Sequence, residues 1–191
     1  GAAGSVLAVF YPRTGLGAQL SVVNASAACS FVGSDRQCTL GLSPGFWRRH
    51  TDLWASEFPT TETFDGMFAF DDQVAVFGAA TLEDVITLAV DPDSDFLNEV
   101  IANGGGNRRS VSAKVRTLAF HAVAALQNAA TLPYALNVSN VKTKVSGALE
   151  DAYYGAGEGI GEVQNIKSLL DTYNNQSTPE EEDRLKQLLG G

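Results

Sequence analysis

Charged residues are scarce in this chain of 191 residues, and so are long apolar runs. Charged residues make up 18% of the sequence, the formal net charge is −9, and no cluster of Lys and Arg forms a basic patch. Because binding to phosphate backbones needs clustered cations, the composition argues against nucleic acid as a partner. No apolar run reaches the roughly 18–20 residues that cross a bilayer, so the sequence predicts no membrane span.

Histidine is equally scarce, with only His50 and His121 in the chain. A closed zinc site needs four ligands, and no G-x-S-x-G element marks a nucleophilic serine. The sequence therefore predicts a protein that is not an enzyme and that has no obligatory cofactor. A hydrolase that pairs one histidine with a carboxylate is the third hypothesis, and it requires that histidine to face a cleft.

The two cysteines, Cys29 and Cys38, flank a Gly-Ser pair typical of a two-residue hairpin turn. Pairing the residues across that turn places Cys29 opposite Cys38, with Cα atoms roughly 4.5 Å apart and within disulfide range. The pattern favours a disulfide over two buried thiols, and a disulfide indicates an oxidising compartment. A start at Gly1, with neither Met nor an apolar leader, suggests a mature secreted chain, although a tag scar has the same appearance.

Residues 5–11 predict a leading strand that is apolar on both faces. Such a strand needs cover on both sides, either in its own sheet or in a neighbouring subunit by strand exchange. The assembly residues expected there are Val6, Leu7, Val9, Phe10 and Tyr11. The sequence thus predicts a single α+β domain. Residues 1–42 form a β-rich, antiparallel part with a disulfide hairpin, and residues 43–191 are mainly helical.

The densest chemistry lies in residues 38–54. Ser43 as N-cap and Pro44 at the first helical position predict a helix that runs towards Phe58. Trp47 and Trp54 fall on one apolar face of that helix. They form either part of the core, which is the favoured interpretation, or a platform with Arg48 that stacks on a sugar.

The motif G-F-W-R-R-H at residues 45–50 resembles the G-[YF]-W-[KR]-x-H segment of uncharacterised secreted and surface-attached bacterial and archaeal proteins. The likeness extends more loosely to residues 118–121 and 169–175, and an acidic stretch around 60–100 departs from it. The motif residues are Gly45, Phe46, Trp47, Arg48, His50 and Trp54. The resemblance implies a secreted location and supports the architecture, and it brings no catalytic mechanism.

The remaining pattern is helical. Apolar residues at steps of three and four predict a central core helix over residues 109–130, with His121 beside its apolar stripe as an interior histidine. Further helices are predicted over 81–90, 95–102, 137–154 and 160–173. Thr178 and Glu181 form a capping box that opens a terminal helix. Residues 60–77 are predicted as loops with short extended pieces.

Asp91, Asp93 and Asp95 imitate the start of a calcium-binding loop. Phe96 stands where that loop needs Gly, which excludes an EF-hand. Acidic capping of the following helix is favoured, and a calcium site of another kind is the alternative. Asn24, Asn137 and Asn175 each begin an N-x-S pattern for glycosylation.

These observations together favour a secreted structural protein at the cell surface or in the extracellular space. It would be a filament or surface-assembly subunit that forms homopolymers through residues 5–11. The alternative is a secreted module that binds glycans or cell-wall components through Trp47 and Trp54. The two differ in one observable, since a binding platform requires exposed indoles.

Overall fold

The computed structural model describes residues 39–190, and within that range the protein is helical. The predicted α+β class is therefore wrong for the described residues, which contain no strand and one isolated antiparallel bridge, between Thr63 and Thr81. No disulfide hairpin is seen there, and the predicted pair Cys29 and Cys38 lies outside the described residues. The predicted assembly residues 5–11 also lie outside them.

The helices within residues 39–190 are numbered here in chain order. They are α1 (Pro44–Arg49), α2 (Phe64–Phe68), α3 (Leu82–Ile86), α4 (Ser94–Val100), α5 (Arg108–Thr131), α6 (Val138–Tyr154), α7 (Ile160–Asn174) and α8 (Pro179–Gly190). A 3₁₀ turn (Thr51–Leu53) follows α1, and a π-helical turn (Ile101–Gly105) follows α4. In this part of the chain no helix is both long and apolar enough to cross a membrane.

Helix α5 is the centre of the fold. Over residues 118–129 every side chain except the half-buried Phe120 is buried. The alanines in this stretch have small side chains, so α3, α6 and α7 can pack closely against α5. The predicted core helix over 109–130 is confirmed to within one residue at each end.

The ends of the following helices obey local rules that the sequence shows. The side chain of Asn137 accepts a hydrogen bond from the Asn140 amide and caps α6. The predicted capping box is confirmed, because the Glu181 amide donates to Thr178 Oγ1 at 3.2 Å and the Thr178 amide donates to Glu181 Oε2 at 3.4 Å. Capping boxes satisfy donors that the first helical turn leaves free.

The Trp-rich helix is shorter than predicted, because α1 ends at Arg49 rather than near Phe58. The carbonyl of Trp47 explains the early end. It accepts from the His50 amide at 3.3 Å and from the indole Nε1 of Trp54 at 2.9 Å. The Trp54 indole thus donates to the carbonyl oxygen that would accept from a backbone amide of the next turn if the helix continued.

The stretch 60–80 is organised by one carboxylate rather than by extended pieces. Asp65, on α2, accepts from the backbone amides of Val76, Phe77 and Gly78 at 2.9–3.3 Å. Burial raises the pKa of Asp65, and the three backbone hydrogen bonds oppose that rise. The short helix α2 and its contacts with the following loop therefore come from tertiary hydrogen bonds that periodicity does not predict.

Replacing Asp65 with Asn is expected to lower the free energy of unfolding by about 1–3 kcal/mol. The amide NH₂ would replace one carboxylate oxygen and would face backbone N–H donors. Asp72→Asn is the matched control, because Asp72 is exposed, and it is expected to change stability by less than about 0.5 kcal/mol. Urea denaturation of both variants measures the difference. Equal stabilities would contradict the role given to Asp65.

Candidate functional site

The segment that joins the N-terminal residues to the helical body is fastened along its whole length. We call residues 39–42 the anchor segment. The Leu40 amide donates to Pro133 O at 2.9 Å, and Thr39 Oγ1 donates to Gln176 Oε1 at 2.8 Å. The Gly41 amide donates to Ser177 Oγ at 3.3 Å, and its carbonyl accepts from the Ser177 amide at 3.2 Å. These partners lie just beyond the C-terminal ends of α5 and α7.

Gly41 is the closest point of approach in the anchor segment. A Cβ atom at this position would lie 1.8 Å from Tyr173 O and 3.2 Å from Asn174 Cα. Both of those atoms are backbone atoms in the last turn of α7, so they cannot move aside as a side chain can. Only glycine fits between the anchor segment and α7.

Asn128 of α5 fastens the next residue of the anchor segment. Its Oδ1 accepts from the Leu42 amide at 2.9 Å and from Trp47 Nε1 at 3.0 Å. Its Nδ2 donates to Leu42 O at 2.9 Å and to Asn174 Oδ1 at 2.9 Å. The side chain is fully buried. One amide thus pairs with both backbone groups of Leu42, as a neighbouring strand would.

The two tryptophans of the motif lie in the core. Trp47 and Trp54 are both fully buried, as is Phe46. The side chain of Gln127, next to Asn128, accepts from the Ala55 amide at 2.8 Å and donates to Phe58 O at 2.9 Å. The favoured interpretation of the tryptophans as core residues is confirmed. No indole face is accessible for stacking on a sugar.

Asn174, at the end of α7, joins the tryptophan side of the core to His121. Its Oδ1 accepts from Asn128 Nδ2 and from the Tyr134 hydroxyl, at 2.9 and 2.8 Å. Its Nδ2 donates to His121 O at 2.9 Å and lies 3.4 Å from His121 Nδ1. Burial raises the pKa of Tyr134, which keeps its hydroxyl protonated as a donor. Gln127, Asn128 and Asn174 together form what we call the amide cluster.

His121 is an interior histidine, as predicted, with 7% of its surface exposed. Its Nε2 lies 3.8 Å from Asp171 Oδ1, and Asp171 also pairs with Lys167 at 3.6 Å. His50 is half-buried and packs against the Phe46 ring at 4.6 Å between ring centres. Burial, followed by the positive charge of Lys186, lowers the pKa of His50.

The surface grooves in the described part of the chain include two beside α5. One, of about 280 Å³, lies between α5 and α7, and the other, of about 470 Å³, lies between the start of α5 and residues 91–97. Neither is lined by His50 or His121. Neither of these two grooves therefore supplies the cleft that the hydrolase hypothesis requires.

The remaining residues in and beside the motif lie at the surface or contact the first turn of α1. Arg48 and Arg49 are exposed, and Arg49 lies 3.7 Å from Glu182 of α8. The Ser43 side chain accepts from the Phe46 amide at 3.1 Å, which confirms the predicted N-cap. Gly45 faces the Arg49 guanidinium, which would lie 3.3 Å from an added Cβ.

The aspartates proposed to bind calcium do not share a common partner. Asp91 pairs with Arg116 at 3.2 Å, while Asp93 accepts from the Asp95 amide at 2.9 Å and caps α4. Across residues 39–190 no group of three His, Cys, Asp or Glu side chains is placed to hold a metal ion. The capping interpretation favoured from the sequence agrees with this geometry.

The two described glycosylation sites differ in the hydrogen bonds of their side-chain nitrogens. Asn137 and Asn175 are both exposed, but Asn175 donates its Nδ2 to the carbonyl and to Oδ1 of Asp171, both at 2.8 Å. Asn24 lies outside the described residues. A glycan on Asn175 would have to displace these two hydrogen bonds, and glycosylation of all three sites stays a prediction.

The amide cluster is the feature that sequence reasoning missed. A signal was present, because Gln127 and Asn128 interrupt an otherwise apolar run over residues 122–130. Two uncharged polar residues inside a fully buried helix face need partners from elsewhere in the chain. The three blocks of the motif resemblance supply the other residues, since Trp47, His121 and Asn174 come one from each block.

Comparisons of the chain with protein families, with curated proteins and with solved structures find no match. The resemblance carried by the motif at residues 45–50 therefore stays a prediction.

Proposed function

We propose that the protein is a secreted structural subunit of an extracellular filament or surface assembly, which polymerises with copies of itself through the apolar residues 5–11. The observation that supports this most directly is the anchor segment. Every one of its four residues is hydrogen-bonded to the helical body, and Leu42 is bonded to Asn128 through both its N–H and its carbonyl.

An assembly subunit has to pass tension from its linking segment into its most stable element, because peripheral elements open at lower free energy than the core. The anchor segment meets this need, since Asn128 belongs to the buried half of α5 and also holds Trp47.

The other sequence features agree with this role. The two-faced apolar pattern of residues 5–11 requires a partner surface, and the motif at residues 45–50 resembles segments of secreted and surface-attached proteins. The glycan-binding alternative depended on exposed tryptophans, and both are fully buried. We therefore do not propose it.

Removing residues 1–11 is expected to abolish assembly. The intact chain should form fibres or large oligomers in light scattering and negative-stain microscopy, and the truncated chain should be monomeric. Single substitutions sharpen the test: Phe10→Asp and Val9→Asp place a charge on opposite faces of the segment and should each block assembly. Val9→Ile is the matched control and should assemble normally.

Far-ultraviolet circular dichroism and thermal denaturation show whether each variant keeps its helical body. The removed residues lie outside the described range 39–190, so the helical signal should be retained. An intact chain that stays monomeric at high concentration would overturn the proposal. So would assembly that persists in the truncated chain.

A further inference from the structure

A directed chain of hydrogen bonds connects the anchor segment to His121. Asn128 holds its amide in one orientation, because Leu42 N–H and Trp47 Nε1 both donate to Oδ1 while Leu42 O accepts from Nδ2. Asn128 Nδ2 then donates to Asn174 Oδ1, which also accepts from Tyr134. The orientation of Asn174 follows, and its Nδ2 donates to His121 O at 2.9 Å and lies beside the imidazole.

This orientation favours one protonation state of His121. Asn174 Nδ2 is a donor and lies 3.4 Å from His121 Nδ1, a contact that an unprotonated Nδ1 satisfies as the acceptor. The ring proton then resides on Nε2, which faces Asp171 at 3.8 Å. The structure thus accommodates the neutral imidazole with its proton on Nε2.

A proton on Nδ1 would place two donors against each other in the core. Asn174 can relieve this only by rotating its amide, which would turn Nδ2 towards Asn128 Nδ2. Asn128 cannot rotate in turn without opposing Leu42 N–H, Leu42 O and the Trp47 indole. The conflict therefore reaches the attachment of the anchor segment.

We propose that His121 is a pH-sensitive latch: its neutral form holds the anchor segment through Asn174 and Asn128, and its protonated form loosens it. The inference goes beyond the proposed function, because it concerns the helical body alone and holds whether or not the chain assembles.

The charged groups that act on His121 within the described residues are Asp171 and Lys167, both on α7. Burial is the largest influence and lowers the pKa of His121 below its ordinary 6.5, Asp171 raises it, and Lys167 lowers it. Because the folded pKa lies below the unfolded one, the stabilising effect is complete above about pH 6.5 and is lost as the pH falls through the folded pKa.

The test is amide hydrogen exchange of the full chain by NMR between pH 7.5 and 5.0, corrected for intrinsic exchange rates. The protection of the Leu42 amide should fall about tenfold over this range, the effect of about one buried hydrogen bond. Core amides of α6 serve as internal references and should keep their protection. Long-range ¹⁵N–¹H spectra at pH 7.5 should show His121 with its proton on Nε2.

Two variants separate His121 from other titrating groups. His121→Asn keeps an acceptor near the position of Nδ1 and cannot titrate, so Leu42 protection should become independent of pH. His50→Gln removes the second histidine of the chain, next to Phe46, and should leave the wild-type pH dependence unchanged. A pH dependence lost in His50→Gln, or a wild-type His121 with its proton on Nδ1 at pH 7.5, would overturn the proposal. So would Leu42 protection that does not change as His121 titrates, a result that needs no variant to fold.

Discussion

Replacing Gly41 with Ala is expected to lower the free energy of unfolding by about 3 kcal/mol or more. The new Cβ would lie 1.8 Å from Tyr173 O and 2.9 Å from Tyr173 C, well inside van der Waals contact. Those atoms belong to the last turn of α7, so either the helix end or the anchor segment must shift by more than an ångström. Such a shift would break the paired hydrogen bonds between Gly41 and Ser177.

Gly147→Ala is the matched control for this experiment. Gly147 lies inside α6, and an added Cβ there would meet no atom within 4 Å. Because Gly is unfavourable in a helix interior, this substitution is expected to raise stability by up to about 1 kcal/mol. Chemical denaturation gives the two values. Hydrogen exchange at Leu40 and Leu42 distinguishes local detachment of the anchor segment from global loss of stability.

If Gly41→Ala and Gly147→Ala were equally stable and Leu42 kept its protection, the anchor segment would not be tightly seated against α7. The support that this seating gives to the proposed structural role would then be lost. The assembly experiment with residues 5–11 would still stand, because it depends on the N-terminal residues and not on the fit of Gly41.

Local signals predicted the helices that depend on local rules. The apolar steps in residues 109–130 gave α5, and Thr178 with Glu181 gave the start of α8, because periodicity and capping involve residues only a few positions apart. The central position of α5 and the interior place of His121 followed from the same pattern.

Long-range polar contacts account for what the sequence did not predict. The end of α1 depends on the Trp54 indole reaching Trp47 O, and the loop after α2 depends on Asp65. The attachment of Leu42 to Asn128 spans 86 positions in the chain. No periodic pattern in the sequence predicts such a pairing. The assignment of residues 39–42 to a β-rich part was wrong, since the backbone hydrogen bonds of these residues go to Asn128, Pro133 and Ser177 rather than to a strand.

Replacing Asn128 with Ala is expected to lower the free energy of unfolding by about 3–5 kcal/mol. The substitution leaves Leu42 N–H, Leu42 O and Trp47 Nε1 without their partner in a fully buried site, and each such group is worth about 1–3 kcal/mol. Asn174 Oδ1 would still accept from Tyr134. Asn140→Ala is the matched control, because that side chain is exposed on α6, and it should change stability by less than about 0.5 kcal/mol.

The two tryptophans of the chain provide a direct readout of the same substitution. In Asn128→Ala the indole N–H signal of Trp47 should move upfield and exchange faster, because its acceptor is gone. Trp54 should change less, since its indole donates to Trp47 O at 2.9 Å.

The Asn128→Asp substitution tests the direction in which stability changes with pH. A carboxylate there would face Leu42 O and Asn174 Oδ1, and burial would raise its pKa, so this variant should gain stability as the pH falls. That trend is opposite to the one expected of the wild type from His121.

An Asn128→Ala variant within about 1 kcal/mol of the wild type, with both indole signals unchanged, would contradict the central role of Asn128. The attachment of the anchor segment would then have to come from Pro133, Gln176 and Ser177 alone.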